Sequence, residues 1–283
     1  MVEEAIKKAD VLIEALPYIK KFQDKVFVIK YGGSILDEEK VRKAVLEDIA
    51  FLRFAGIKPL LVHGGGHHIN EKLKALEIPV EFINGIRVTN KATLKVVEEE
   101  LTKLNDLIAN EVNAHGVKTK GFKGLEGLLC AEKKKSDKDL GFVGQVTEYN
   151  KKKLSDALNT SIPVIAPLAV SKKGQLFNIN ADDVAFFLAS ELKAEKLVLF
   201  TKVLGVMRDV EEESSLIPTI TSAEVEELIE KNVIAEGMVP KVRAAVHAIG
   251  EGVGKAHILD AKIHHALLLE IFTDKGIGTE IVG

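Results

Sequence analysis

The sequence predicts an α/β chain, with strands and helices alternating around one open, mainly parallel sheet. Three observations carry that expectation. Phe27-Val28-Ile29 and Leu60-Leu61-Val62 are apolar runs without polar alternation, the pattern of strands covered on both faces. Each run ends in a polar residue and then in glycines, as Lys30-Tyr31-Gly32-Gly33 and His63-Gly64-Gly65-Gly66. Apolar residues at three- and four-residue spacing follow each glycine cluster, which is the stripe of an amphipathic helix.

The outer limits agree. At 283 residues the chain is long enough for a large core in one domain or two joined lobes. A net charge of −3 gives no nucleic-acid footprint. No apolar run approaches the ~18–20 residues of a membrane span, and the N-terminus shows no secretory apolar region. The single Cys130 excludes an internal disulfide framework and fits a reducing cytoplasm.

The chain opens with a helix whose stripe is Ile6, Ala9, Ile13, Leu16 and Ile19, and Pro17 predicts a kink inside it. That stripe either packs on its own domain or seeks another subunit. Val26–Lys30 is the first strand, and Lys30 at its carboxyl end stands where open α/β sheets place ligands. Gly32 and Gly33 let backbone N–H groups approach an anion; the plainer reading is a tight turn beside a solvent lysine. A helix near Val41–Phe54, a strand Pro59–His63 and a helix Ile69–Leu76 come next. Behind Gly64–Gly66 that last helix offers free N–H groups at its start. His63, His67 and His68 look like metal ligands on paper. No carboxylate or cysteine stands at a familiar spacing from them, so no metal site is expected there.

Gly85-Ile86-Arg87-Val88-Thr89 forms a short connection, in which Arg87 is either a carboxylate clamp or an ordinary surface arginine. A long helix carries Val97, Leu101, Leu104, Ile108 and Val112, Gly116 stops it, and Val117–Phe122 is a strand. Leu128–Thr147 reads as hairpins around a solvated lysine-rich loop tip, and Ile162–Pro167 resumes buried strand. Asn178-Ile179-Asn180-Ala181-Asp182-Asp183 then enters a helix. Asp182 and Asp183 suit its cap, yet two asparagines and two aspartates exceed what a cap requires. The last third is a second α/β unit. Its strands are Lys196–Thr201, Ala256–Asp260 and Gly278–Val282, and its helices start at Ser222, near Pro240 and at Ala266. No Pro/Gly/Ser-rich linker separates the halves, so two lobes share one sheet.

Seven ordered blocks now stand out: Ile29-Lys30-Tyr31-Gly32-Gly33, His63-Gly64-Gly65-Gly66, Gly85-Ile86-Arg87-Val88-Thr89, Leu140-Gly141-Phe142-Val143-Gly144, Ile162-Pro163-Val164-Ile165-Ala166-Pro167, Asn178-Ile179-Asn180-Ala181-Asp182 and Gly237-Met238-Val239-Pro240-Lys241. On them the chain resembles, nearly end to end, the acetylglutamate kinases of the amino-acid kinase superfamily. The N-terminal helix and the tail Leu269–Thr279 resemble the arginine-sensitive hexameric type. The resemblance implies an αβα sandwich on an open, mainly parallel sheet of about eight strands, plus a kinked N-terminal helix. It implies an interaction helix over 1–24, an acetylglutamate-binding lobe with the dimer interface over 25–175, and an ATP-binding lobe with an arginine effector site over 176–283. The implied reaction transfers the γ-phosphoryl group of ATP to the side-chain carboxylate of N-acetyl-L-glutamate, for arginine biosynthesis in the cytoplasm. L-arginine is the implied inhibitor, of a homodimer assembling to a homohexamer. No nucleic acid or membrane partner is implied.

Roles follow residue by residue from the same resemblance. Lys30 and Lys241 flank the transferred group, and Asp182 holds both. Gly33, Gly65, Gly66, Arg87, Asn178 and Asn180 bind acetylglutamate. Gly32, Thr201, Gly205, Gly237 and Met238, with Lys241, bind ATP, whose Mg²⁺ needs few protein ligands. Tyr18, His257, Glu270 and Gly276 form the effector site. There is no GxxxxGK[ST], so the phosphate site is not a P-loop. A carboxylate nucleophile with a reference pKa of about 4.3 needs no general base; the obstacle is repulsion between anions. His67, Leu125, Lys202 and Ala261 depart from the family pattern. Two alternatives remain: an acetylaminoadipate kinase of lysine biosynthesis, and a non-catalytic arginine-binding regulator. Intact Lys30, Asp182 and Lys241 weigh against the regulator.

Overall fold

The computed structural model describes residues 2–32, 36–273 and 276–283. Gly33, one of the expected substrate contacts, lies outside the described residues.

Helix α1 (Val2–Phe22) leads into β1 (Val26–Tyr31), α2 (Glu39–Phe54), β2 (Lys58–His63) and α3 (Gly66–Ala75). Strands β3 (Phe82–Ile83) and β4 (Ile86–Arg87) precede the long α4 (Lys91–Ala114) and β5 (Thr119–Phe122). Then come β6 (Leu129–Lys133), β7 (Gly144–Tyr149), α5 (Lys151–Thr160), β8 (Ile162–Ile165), β9 (Leu168–Val170) and β10 (Leu176–Asn178). The remainder is α6 (Ala181–Leu192), β11 (Lys196–Thr201), β12 (Thr219–Thr221), α7 (Val225–Glu230), α8 (Met238–Gly250), β13 (Lys255–Asp260), α9 (Ala266–Ile271) and β14 (Thr279–Val282).

The described strands build one eight-stranded sheet in the order β12-β14-β13-β11-β1-β2-β8-β5, and a smaller sheet in the order β10-β9-β6-β7. In the large sheet the β13–β14 pair is antiparallel and the others are parallel. Strand β1 is central: β2 flanks it on one side and β11, from the second half of the chain, on the other. Ligands of open α/β sheets bind at the carboxyl ends of strands where the order reverses. Lys30, near the end of β1, stands at that reversal.

Side chains alternate along a strand, so each sheet face has its own core. Phe27, Ile29 and Tyr31 of β1 pack with Val45, Ile49 and Leu52 of α2 and with Leu267 of α9. Val28 faces the other way, into a cluster with Leu158 of α5, Val184 and Leu188 of α6 and Val242 of α8. Burial on both faces explains why β1 and β2 read as continuous apolar runs. Among the described residues no helix is long and apolar enough to cross a membrane.

Helix α1 carries Pro17 inside its span. Three local expectations change. The connection before α4 is a hairpin, with Asn84 and Gly85 at φ of 50° and 76°. Two successive positive φ values make this an Asn-Gly turn of the kind that matches strand twist. Ser222 is not a helix cap: its Oγ donates to the Val282 carbonyl at 2.9 Å, and α7 starts later, at Val225. The cap of α6 is Asn180, whose Oδ1 accepts from the N–H of Asp182 at 2.7 Å and of Asp183 at 3.4 Å. That frees Asp182 and Asp183 for other partners.

Candidate active site

A cleft of about 280 Å³ opens at the carboxyl ends of the central strands. Lys30, Gly65, Gly66, Arg87, Asn178, Asn180 and Asp182, spread over 153 positions from 30 to 182, all line it. Gly65 is the residue before α3, and a Cβ there would stand 2.7 Å from Leu101 Cδ2 and 2.9 Å from Leu104 Cδ1. Only glycine lets this helix N-terminus approach α4 so closely. Among the described residues the first turn of α3 takes no side-chain cap, and Gly64, Gly65 and Gly66 line the cleft.

Three charged residues meet at one edge. Lys30 Nζ stands 2.8 Å from Asp182 Oδ1, and Lys241, in the first turn of α8, bonds the other oxygen. Burial pushes the Asp182 carboxyl up, but the two lysines outweigh it and hold its pKa below the ordinary 3.8. Asp182 is therefore an anion shared by two cations, one in the cleft lining and one reaching in from α8. Its neighbour Asp183 pairs with Lys134 instead, at 3.0 Å.

Arg87 lines the same cleft. The residue is 8% exposed, its Nη2 donates to the Gly66 carbonyl at 3.1 Å, and its Cζ lies 4.8 Å from the Phe82 ring centroid. Nη1 is buried and has no hydrogen-bond partner among the described residues. Burial pulls the guanidinium pKa down, yet it remains a cation. Asn178 Nδ2 donates to Thr89 Oγ1 at 3.1 Å, and Thr89 Oγ1 donates to the Arg87 carbonyl at 3.0 Å. Thr89 thus ties the two residues together. The surface-arginine reading of Arg87 does not hold.

Gly32 lies against Gly64, outside the cleft lining, so the two glycine junctions touch one another. Thr201, Gly205, Gly237 and Met238 are also outside it. Thr201 Oγ1 bonds the Val203 and Leu259 carbonyls, and Gly205 packs closely on Thr279. Gly237 and Met238 open α8 without a side-chain cap. Of the three histidines, His63 is buried, while His67 and His68 lie 2.8 and 3.2 Å from the Asp37 carboxylate.

Sequence reasoning missed Phe82 and Thr89 as supports of Arg87. The Asn84-Gly85 dipeptide was the available signal for the hairpin that delivers Phe82, and for Thr89 the signal was its place in the Gly85–Thr89 block.

Tyr18, His257, Glu270 and Gly276 line a second cavity of about 300 Å³, together with Lys21, Lys196 and Lys255. His257 is buried; its Nε2 accepts from Lys196 Nζ at 2.8 Å and its Nδ1 donates to Glu270 Oε1 at 2.6 Å. Glu270 Oε2 accepts from the N–H groups of Ile277 at 2.7 Å and Gly278 at 3.0 Å. Burial pushes this carboxyl up, but the His257 contact and both N–H donors hold it below the usual range. Gly276 has a φ of 61°, and a Cβ there would stand 2.6 Å from Glu270 Oε2. Tyr18 anchors α1 at the rim, its ring centroid 6.5 Å from that of Phe272.

Comparison with known proteins gives the geometry a family. The amino acid kinase family model matches residues 25–260. The acetylglutamate kinase of Desulforamulus reducens is 44% identical over 281 residues, covering 98% of each chain. That of Methanocaldococcus jannaschii is 43% identical over 291 residues, covering 98% of this chain and 97% of its own. The N-acetylglutamate synthase of Neisseria gonorrhoeae, solved with coenzyme A and N-acetyl-glutamate, superposes with a TM-score of 0.87 at 26% identity. The match covers 97% of this chain but 63% of that one, which is less than two thirds of its length. The same synthase has been solved with coenzyme A and L-arginine, with a TM-score of 0.83, 25% identity and coverage of 97% of this chain and 65% of its own. The chain belongs to the amino acid kinase family and, within it, to the acetylglutamate kinases.

Proposed function

We propose that this kinase transfers the γ-phosphoryl group of ATP to the side-chain carboxylate of N-acetyl-L-glutamate, a step of arginine biosynthesis. One observation carries the substrate assignment: the buried Arg87 Nη1, in the same cleft as Lys30 and without a hydrogen-bond partner among the described residues. A buried donor left unsatisfied is costly, and a ligand carboxylate supplies the missing acceptor. Arg87 and Asn178 then hold the α-carboxylate end, which directs the side-chain carboxylate toward Lys30.

The nucleophile is already ionised at neutral pH, so this chain supplies position and positive charge. Lys30 and Lys241 approach the transferred group from two sides, Lys241 on the leaving side. Asp182 fixes both ammonium groups before substrate arrives, so little reorganisation accompanies charge development. The N–H groups of Gly65 and Gly66 at the start of α3 add donors, as do those of Gly33 and Gly32. Asn180 supports the set by capping α6. Thr201, Gly205, Gly237 and Met238 border the nucleotide. Asp182 is the carboxylate of the cleft lining, and lysines occupy both its oxygens, so the donor set suits Mg²⁺ carried on nucleotide phosphates. When bound, the ion supplies neutralisation of phosphate charge.

On this reading residues 1–24 are an interaction helix, 25–175 the acyl-amino-acid lobe with the dimer interface, and 176–283 the nucleotide lobe. The second cavity takes L-arginine: its carboxylates and carbonyls suit a guanidinium and an α-amino group, and its lysines a carboxylate. The last turns of α1 line it, which couples the effector to the helix that joins dimers into a hexamer. Ile6, Ile13 and Leu16 of that helix are exposed apolar residues in the single chain, which supports a partner for α1.

The test is ADP release with acetylglutamate, glutamate, aspartate and acetylaminoadipate side by side, in a cytosolic buffer with and without arginine. Acetylglutamate should be preferred, and arginine should weaken its apparent affinity by roughly 5–150-fold. A chain starting at Asp24 should form dimers that stay active and respond poorly to arginine. Activity on none of the acceptors sinks the kinase assignment; indifference of the full chain to millimolar arginine sinks the regulatory part alone.

A further inference from the structure

His63 precedes the glycine run and has no part in the chemistry above. It is fully buried, at 0% exposure, and it is absent from the cleft lining although Gly64, Gly65 and Gly66 all belong to it. The ring therefore sits behind the loop. Its contacts determine where its proton lies. Asn105 Nδ2 donates to the Val164 carbonyl at 2.9 Å, and a carbonyl only accepts, so the amide orientation is forced. The same Nδ2 lies 3.1 Å from His63 Nε2, which must then be the acceptor. The proton is on Nδ1, 2.9 Å from the Gly64 carbonyl oxygen. Burial lowers the ring pKa to about 4, so the imidazole is neutral and one tautomer persists at working pH.

The Gly64–Gly65 peptide is trans, as none of the described peptides is cis, so the Gly64 C=O and the Gly65 N–H point in opposite directions. Holding the carbonyl on the His63 side turns the N–H to the cleft side. Gly64 N–H donates to the Tyr31 carbonyl at 2.8 Å, which pins the other end of the same residue beside Lys30. We infer that His63 is a positioning residue for phosphoryl transfer: its Nδ1–H, oriented by Asn105, locks the Gly64–Gly65 peptide with the N–H aimed at the transferred group. A flipped peptide would present a carbonyl oxygen to an anion. This inference rests on the proposed kinase reading.

Two measurements test it. The first is the tautomer, read by multiple-bond ¹H–¹⁵N correlation on histidine-labelled protein, with the His63 signals assigned by their loss in a His63→Asn chain. Nδ1–H is expected; Nε2–H overturns the inference. The second compares His63→Asn, whose amide reaches the Nδ1 position, with His63→Gln, whose amide reaches only the Nε2 position. Both should lose thermal stability to a similar degree. His63→Gln should lose turnover by about 10²-fold, the loss for one backbone donor, with KM for ATP little changed. His63→Asn should restore most of that turnover. Equal turnover in the two variants, or losses that follow melting temperature, makes His63 purely structural and overturns the inference. An inactive wild-type chain sinks the kinase reading instead, while the tautomer still decides the arrangement of His63.

Discussion

The two cavities are alike in volume, about 280 and 300 Å³, and opposite in electrical condition. In the cleft, positive charge is left over. Lys30 and Lys241 share one carboxylate, and Arg87 keeps a buried donor with no partner among the described residues. In the second cavity Lys21, Lys196 and Lys255 face Glu195, Glu270 and Glu280, and both oxygens of Glu270 are taken. Surplus donors fixed during folding are ready for an anion and for charge that grows along a reaction. A balanced network must exchange partners before anything binds, which suits a ligand bearing both signs and a modulatory role. Preorganisation separates the two, not size.

The sharpest way to break this comparison is to remove the surplus. Lys241→Ala or Lys30→Ala should lower turnover by about 10²–10³, the usual loss for one transition-state donor. The circular dichroism spectrum should be unchanged, because neither ammonium group packs in the core. Wild-type-like turnover in Lys241→Ala would remove that lysine from the mechanism and leave Asp182 as a structural anion.

A smaller effect is expected at the binding end of the same cleft. Arg87→Ala should raise the KM for acetylglutamate by about 1.5–3 kcal/mol in free-energy terms, with much less change for ATP. Equal changes for both substrates would mean that Arg87 acts on the hairpin and α3 through Phe82 and Gly66, not on the acyl substrate.

The smallest effect tests the balanced cavity. Burial, helped by the Lys255 charge, lowers the Lys196 pKa from 10.5 to about 8. Between those values the unfolded chain holds more protons than the folded one, so this group makes stability rise with pH. Urea unfolding from about pH 7 to about pH 10 should show that rise in the wild type and a weaker one in Lys196→Met. Parallel profiles would mean that Lys196 keeps its ordinary proton affinity in the network.

What local pattern determines, the sequence already held. The runs Phe27–Ile29 and Leu60–Val62 became adjacent parallel strands of a sheet covered on both faces. Lys30 falls at the carboxyl end of the central strand, and the glycines open α3 as their spacing required. The ordered blocks also carried the family, because five of the seven combine a glycine or a helix start with a charged or polar side chain. Partner choice was another matter. A helix-opening Asn-x-Asp-Asp looks the same whether the aspartates cap it or leave it; the fold gave the cap to Asn180 and sent Asp182 to Lys30 and Lys241. Arg87 reads as a surface residue or a clamp until the β3–β4 hairpin sets Phe82 against it and the fold buries it. The contact of His63 with Asn105, 42 residues away, lies outside any helical or strand period. Periodicity encodes which face of an element is apolar over a few residues. Which distant polar atom a buried side chain meets depends on how whole elements stack, and that only the tertiary structure decided.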